Sequence, residues 1–250
     1  MRSTLLAALG LAAYLVFLAV LVPASFVASR LEAQAPGALE IIEPAGTLWR
    51  GQARVRLTPA GGAPVELEHV EWQLVPRALA AGRLAFALKA SGAGVDATLE
   101  AARGVSKWEV RELSARGSAA TLSAAFPLLA AWRPEGAFAL RAPALSWDGR
   151  ELLGEARLEW QGAALALSPV RPLGTYRLEV RSEGGPAKLV VSTLDGPLKV
   201  AGLGTLSLPS NLAFSGEARA EGEAMKSLEP LLNLLGPRRA DGARSLEWRH

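Results

Sequence analysis

Two periodicities divide the chain. Residues 5–22 read LLAALGLAAYLVFLAVLV without one charged side chain, and the apolar character thins past Pro23 until Arg30 and Glu32 end it. Beyond Glu32 the pattern is alternation with period two, the mark of strands with one face in a core and one in water. In residues 52–57, Ala53, Val55 and Leu57 alternate with Gln52, Arg54 and Arg56. Leu84, Phe86 and Leu88 repeat the pattern, as do Val95, Ala97, Leu99 and Ala101 against Asp96, Thr98 and Glu100. Tyr176, Leu178 and Val180 then alternate with Arg177, Glu179 and Arg181, and late strands are predicted over residues 187–194 and 212–221. Turn residues punctuate the runs at Gly61-Gly62-Ala63-Pro64, Gly184-Gly185-Pro186 and Asp195-Gly196-Pro197. Residues 76–81, 123–132 and 225–235 break the alternation and read as short helices. In the last, Leu228, Leu231, Leu232 and Leu235 form a stripe at helical spacing, with Gly236 and Pro237 as the stop. The expected fold class is mainly β: a single N-terminal transmembrane helix followed by a β-rich exported domain of antiparallel sheets with a few short helices.

The apolar run sets the expected topology. A spanning helix needs about 20 apolar residues, whereas the apolar region of a signal peptide is typically about 7–15 long. Length favours an uncleaved anchor. The competing reading is a cleaved signal peptide, because Ala33-Gln34-Ala35 has the small-x-small form of a cleavage site. Arg2 precedes the run and keeps a short tail in the cytoplasm by the positive-inside rule. The division expected is a transmembrane anchor with its cytoplasmic tail over residues 1–30 and a periplasmic β-rich domain over 31–250, held single-pass in the cell inner membrane. Pro143 is a candidate internal boundary without linker character, so one exported domain is kept.

Composition narrows the chemistry. With 50% hydrophobic and 20% charged residues the chain can bury a core. Its 27 Lys and Arg interleave closely with 24 Asp and Glu for a formal charge of +3, so no basic block offers a nucleic-acid footprint. There is no cysteine, hence no disulfide, thiolate ligand or thiol nucleophile. His69 and His250 are the two histidines; His69 sits in a charged alternating run and reads as a solvent-facing strand residue, and His250 ends the chain. Asp148, Asp195 and Asp241 each precede a Gly and read as turns. No P-loop, dinucleotide fingerprint, nucleophile elbow or zinc spacing occurs. No catalytic, cofactor-binding or metal-ligating residue is nominated, no cofactor is expected, and the expectation is a protein that is not an enzyme. The seven tryptophans are expected mostly in the core, with a lipid-facing or membrane-interface belt as the first alternative and an apolar groove for an acyl chain as the second. Glu71-Trp72-Gln73 and Glu159-Trp160-Gln161, each followed by Pro, Gly and a strand, hint at an internal duplication.

The segment Gly46-Thr47-Leu48-Trp49-Arg50-Gly51, soon after the apolar run and before an alternating strand, resembles the type II secretion system protein N family. The likeness continues in order through Trp72, Leu74, Pro76, Leu79 and Gly82-Arg83-Leu84. It goes on at Pro172-Leu173-Gly174-Thr175-Tyr176-Arg177-Leu178, Asp195-Gly196-Pro197-Leu198, Phe214-Ser215-Gly216-Glu217-Ala218 and Leu228-Glu229-Pro230-Leu231-Leu232-Asn233-Leu234-Leu235-Gly236. The resemblance implies an accessory inner-membrane component of the machinery that exports folded proteins, with other type II secretion proteins as partners and no catalytic residues to carry over. The reading that follows is assembly or scaffolding in protein transport; the alternative is a membrane-anchored module binding lipid or another apolar ligand in a β-groove. Within the hexapeptide, structural use is expected, with Leu48 and Trp49 reaching into the core from either side of a glycine-permitted turn.

Overall fold

The computed structural model describes residues 20–104, 106–125, 131–207 and 211–249, together with Gly10, Tyr14 and Phe17. Thirteen strands form one antiparallel sheet whose spatial order is the chain order. They are β1 (Leu39–Gly46), β2 (Arg50–Leu57), β3 (Val65–Leu74), β4 (Leu84–Gly92), β5 (Val95–Arg103), β6 (Trp108–Ser118), β7 (Pro134–Trp147), β8 (Leu152–Leu165), β9 (Gly174–Glu183), β10 (Ala187–Asp195), β11 (Leu198–Ser207), β12 (Asn211–Ala220) and β13 (Arg244–Arg249). Among the described residues they are joined by the α-helices α1 (Ala24–Gln34), α2 (Pro76–Ala80), α3 (Ala119–Ala125) and α4 (Met225–Leu235). The meander follows from the short turns, since neighbouring antiparallel strands need only a few linking residues.

Register carries the period-two pattern into one two-faced surface. Ala53 lies opposite Val70, Val70 opposite Ala90, Ala90 opposite Ala97 and Ala97 opposite Ala115. The row continues through Leu140, Leu158, Leu178 and Val191 to Gly202, Gly216 and Leu246. Directly opposed residues share a face, so an apolar row runs without interruption from β2 to β13. A β-bulge explains one lapse in the alternation. Val65 and Leu67 share parity with each other but not with Val70 and Trp72, because Glu68 and His69 together oppose the single residue Arg54.

Among the described residues no second sheet covers this surface, and the buried residues show it. Most of the buried apolar residues are alanines, and the largest fully buried side chains are Leu173, Leu228 and Leu231. The main core lies where α4 seats Leu228, Leu231 and Leu232 against Leu173, Leu198, Ala218 and Ala220. The leucine stripe predicted for residues 225–235 is thus the contact face of α4, whose bounds match. Gly236 ends the helix through close approach: a Cβ there would collide with the backbone oxygen of Ser245. A smaller cluster, Ala78 of α2 with Ala85 and Ala102, sits at the other face, since these two alanines have the opposite parity to Phe86 and Ala101.

Several expectations need correction. Most of the tryptophans are not core: none of the seven is buried, although Trp132 packs against the main core, and Trp108, Trp147 and Trp248 are about half exposed, at 50%, 45% and 53%. A single-layer sheet gives a large ring only in-plane neighbours to lie against. Trp49 is likewise half-buried. The helix expected at 123–132 starts earlier, as α3, and residues 126–130 lie outside the described residues. Most of the expected span at 5–22 also lies outside them, as does His250; among the described residues no helix is long and apolar enough to cross a membrane. The repeated Glu-Trp-Gln triplets have matching geometry: Trp72 Nε1 donates to the Thr47 carbonyl at 3.0 Å and Trp160 Nε1 to the Glu135 carbonyl at 2.9 Å, each 25 residues upstream.

Candidate functional site

The titratable side chains singled out in the sequence are not brought together. His69 is exposed on the β3 bulge, on the rim of a charged depression of about 690 Å³ shared with Glu71, Lys89, Asp96, Arg116 and Arg141. The signs there are mixed. Asp148 accepts backbone N–H bonds from Arg150 and Glu151, which hold its carboxyl below the usual carboxylate range, and Asp241 caps the turn at Ala243. These are turn-stabilising roles. Among the described residues no group of three or more His, Asp or Glu is placed to hold a metal ion.

The charged face is a lattice of cross-strand ion pairs. Arg56 on β2 meets Glu40 on β1 at 2.7 Å and Glu66 on β3 at 3.5 Å. On β8 and β9, Arg157 pairs with Glu179 at 3.0 Å and Arg177 with Glu159 at 2.8 Å. The Arg177 hydrogen bond holds the Glu159 carboxyl below its ordinary range. Pairs of this exposure are worth about 0–1 kcal/mol each and keep the face soluble rather than reactive.

The opposite face carries the distinctive geometry. Near α4 the sheet curls: Leu158 and Trp160 on β8 and Leu246 on β13 line one cavity of about 300 Å³, although flat strands five places apart would lie about 24 Å from each other. The wall is hydrocarbon, and the polar atoms nearby are engaged elsewhere. Tyr176 Oη donates to the Leu198 carbonyl at 2.9 Å, and burial pushes its phenol pKa up. The Trp160 and Tyr176 rings pack at 6.0 Å between centroids. Sequence reading did not find this cavity; its only advance signal was the leucine stripe of α4.

The hexapeptide forms the β1–β2 turn. Gly46 has φ +94°, and a Cβ on it would meet the Arg50 carbonyl oxygen at 2.5 Å; one on Gly51 would collide with the Trp72 ring. Trp72 anchors the turn, its indole N–H shared between the Thr47 and Leu48 carbonyls at 3.0 and 3.1 Å. The turn also receives the end of the N-terminal apolar run: Leu48 N donates to the Val22 carbonyl at 2.8 Å, and Pro23 pairs with Thr47. At the edges, β1 is shielded by α1, with Ile41 N donating to the Glu32 carboxylate at 2.6 Å and Leu39 N to the Ala35 carbonyl at 3.2 Å. Among the described residues no strand pairs with the outer side of β13 beyond the short bridge between Arg238 and Arg244.

No curated protein and no solved structure matches this chain. The model of one family does, described as type II secretion system, protein N, over residues 37–247. That match runs from just before β1 into β13 and takes in the glycine-bounded β1–β2 turn, the whole meander and α4. The chain belongs to the type II secretion system protein N family.

Proposed function

We propose that this chain is a non-enzymatic assembly component of the type II secretion machinery, anchored in the inner membrane by residues 5–22 and exposing its sheet to the periplasm. The observation that carries this reading is the apolar face running in register from β2 to β13, on which α4 buries the C-terminal part while Ala90, Ala97, Ala115 and Leu140 stay half-buried among the described residues. Exposed apolar surface of this continuity marks an interaction site. The docking of the β1–β2 turn on Val22 supports the anchoring, because it ties the sheet to the end of the apolar run. The partners proposed are other secretion proteins, which would lie against the face or extend the sheet at β13. A photoreactive benzoylphenylalanine placed at Leu99 or Leu140 in cells making the machinery should crosslink to another secretion component. Crosslinks absent from both positions, with the protein intact, would remove the reading. Topology has its own test: a reporter fused after residue 35 should be active only in the periplasm, with the intact N-terminus in the membrane fraction. A shortened, soluble product would identify a cleaved signal instead.

A second reading, binding of lipid or another apolar ligand in a β-groove, is favoured by one observation, the hydrocarbon-lined cavity under α4.

A further inference from the structure

We propose that the cavity under α4 binds one acyl chain of a bilayer lipid. The inference rests on the second reading above and gives it a place and a ligand class. The wall is built from Leu158, Leu178, Val191 and Val200 on the sheet, with Leu231 and Leu235 on α4 as its roof. The polar groups bordering the space are already engaged, Tyr176 Oη with the Leu198 carbonyl, Trp160 Nε1 with the Glu135 carbonyl and the Arg177 guanidinium with the Glu159 carboxylate. Nothing in the wall is left to recognise a polar ligand.

That excludes ligands by chemistry. A peptide segment would bring amide N–H and C=O groups against a wall that offers no partners, and each would be buried unsatisfied. A hydrocarbon chain brings none. A volume of about 300 Å³ lies at the small end of ligand sites, which suits one chain and not a whole two-chain lipid. The space is partly open to solvent and its wall is apolar, so a hydrocarbon chain that fills it gains van der Waals contacts and breaks no hydrogen bond made by the wall.

The source is argued from the other end of the sheet. The β1–β2 turn is bonded to Val22, where the apolar run of residues 5–22 ends, so the sheet starts at the bilayer surface once that run is embedded. From there the row through Ala97 and Leu140 leads to Leu158 and Leu178 in the cavity wall, an apolar path over which the rest of the lipid can lie.

The test uses the full chain reconstituted in phosphatidylethanolamine–phosphatidylglycerol vesicles doped with a phospholipid carrying a diazirine midway along one acyl chain. After illumination, labelled peptides should include β9–β11 and α4, and Leu235→Trp, which fills the roof from a half-buried position, should cut that labelling at least ~10-fold. Val191→Trp is the second filling variant, and circular dichroism melts verify that each is folded. Labelling spread over β3–β7 and unchanged by either variant would overturn the cavity while leaving the groove reading. Labelling confined to residues 5–22 would overturn both. Labelling of the cavity by a free diazirine fatty acid but not by the phospholipid would overturn the bilayer source.

Discussion

The strands from β8 to β13 and those from β2 to β7 share one alternation and one apolar row but have different surroundings. In the later strands α4 lies against the row, and three leucines of that helix, with Leu173 and Leu198, become the principal core. In the earlier strands Leu88, Leu99 and Leu140 keep the same parity and stay half-buried. The difference is one of cover, since the side chains are alike. Burial close to complete is what gives a leucine its full stabilising effect, so the folding free energy of the sheet is concentrated toward its C-terminal side. Apart from Phe138 on β7, which is buried on the same face, the earlier strands rely mostly on backbone pairing and in-plane contacts, and they leave apolar surface available for association.

The largest effect expected from this contrast is at Leu228. Leu228→Ala removes a fully buried side chain and should cost about 2–5 kcal/mol, whereas Leu99→Ala on the uncovered part should cost about 1 kcal/mol. Urea denaturation of both variants measures the gap, and equal losses would show that something else covers the middle strands. Next in size is Gly51→Ala, which places a methyl group into the Trp72 ring and the Ala45 carbonyl. It should destabilise by about 1–3 kcal/mol, against less than about 0.5 kcal/mol for Gly185→Ala, where a Cβ meets nothing within 4 Å. Thermal melts of the pair sharpen the view that the β1–β2 turn is a tightly made joint within the thinly covered region. Trp72→Phe keeps most of the ring and loses the shared hydrogen bond to Thr47 and Leu48, at an expected ~1 kcal/mol. Amide exchange at Leu48 should quicken with it if the turn loosens where the N-terminal segment docks.

The smallest effect concerns the charged face. Because Arg177 lowers the Glu159 pKa on folding, the pair stabilises above the ordinary carboxylate range, and that contribution is lost as pH falls through the lowered folded value. Glu159→Gln should therefore cost less than about 1 kcal/mol at pH 7 and nothing once the carboxylate is protonated. A cost that persists in acid would point to packing instead of charge.

Local sequence determined the strands, many of the turns and the fourth helix. Alternation such as that of Tyr176, Leu178 and Val180 needs only chain-neighbour information, and the spacing of Leu228, Leu231, Leu232 and Leu235 fits one helical face. The bulge at Glu68 and His69 was visible only as a slip in parity, because the residue it opposes, Arg54, comes from another strand. Tertiary structure alone decided what lies over each apolar face. A period-two pattern states that a strand has such a face, while burial is a sum over neighbours in space, and those of Trp108, Trp147 and Trp248 proved too few to cover them. For the same reason the cavity under α4 could not be read from the chain: its wall joins β8 to β13 through a curl of the sheet, and curl depends on how bulges and a packed helix bend many strands together.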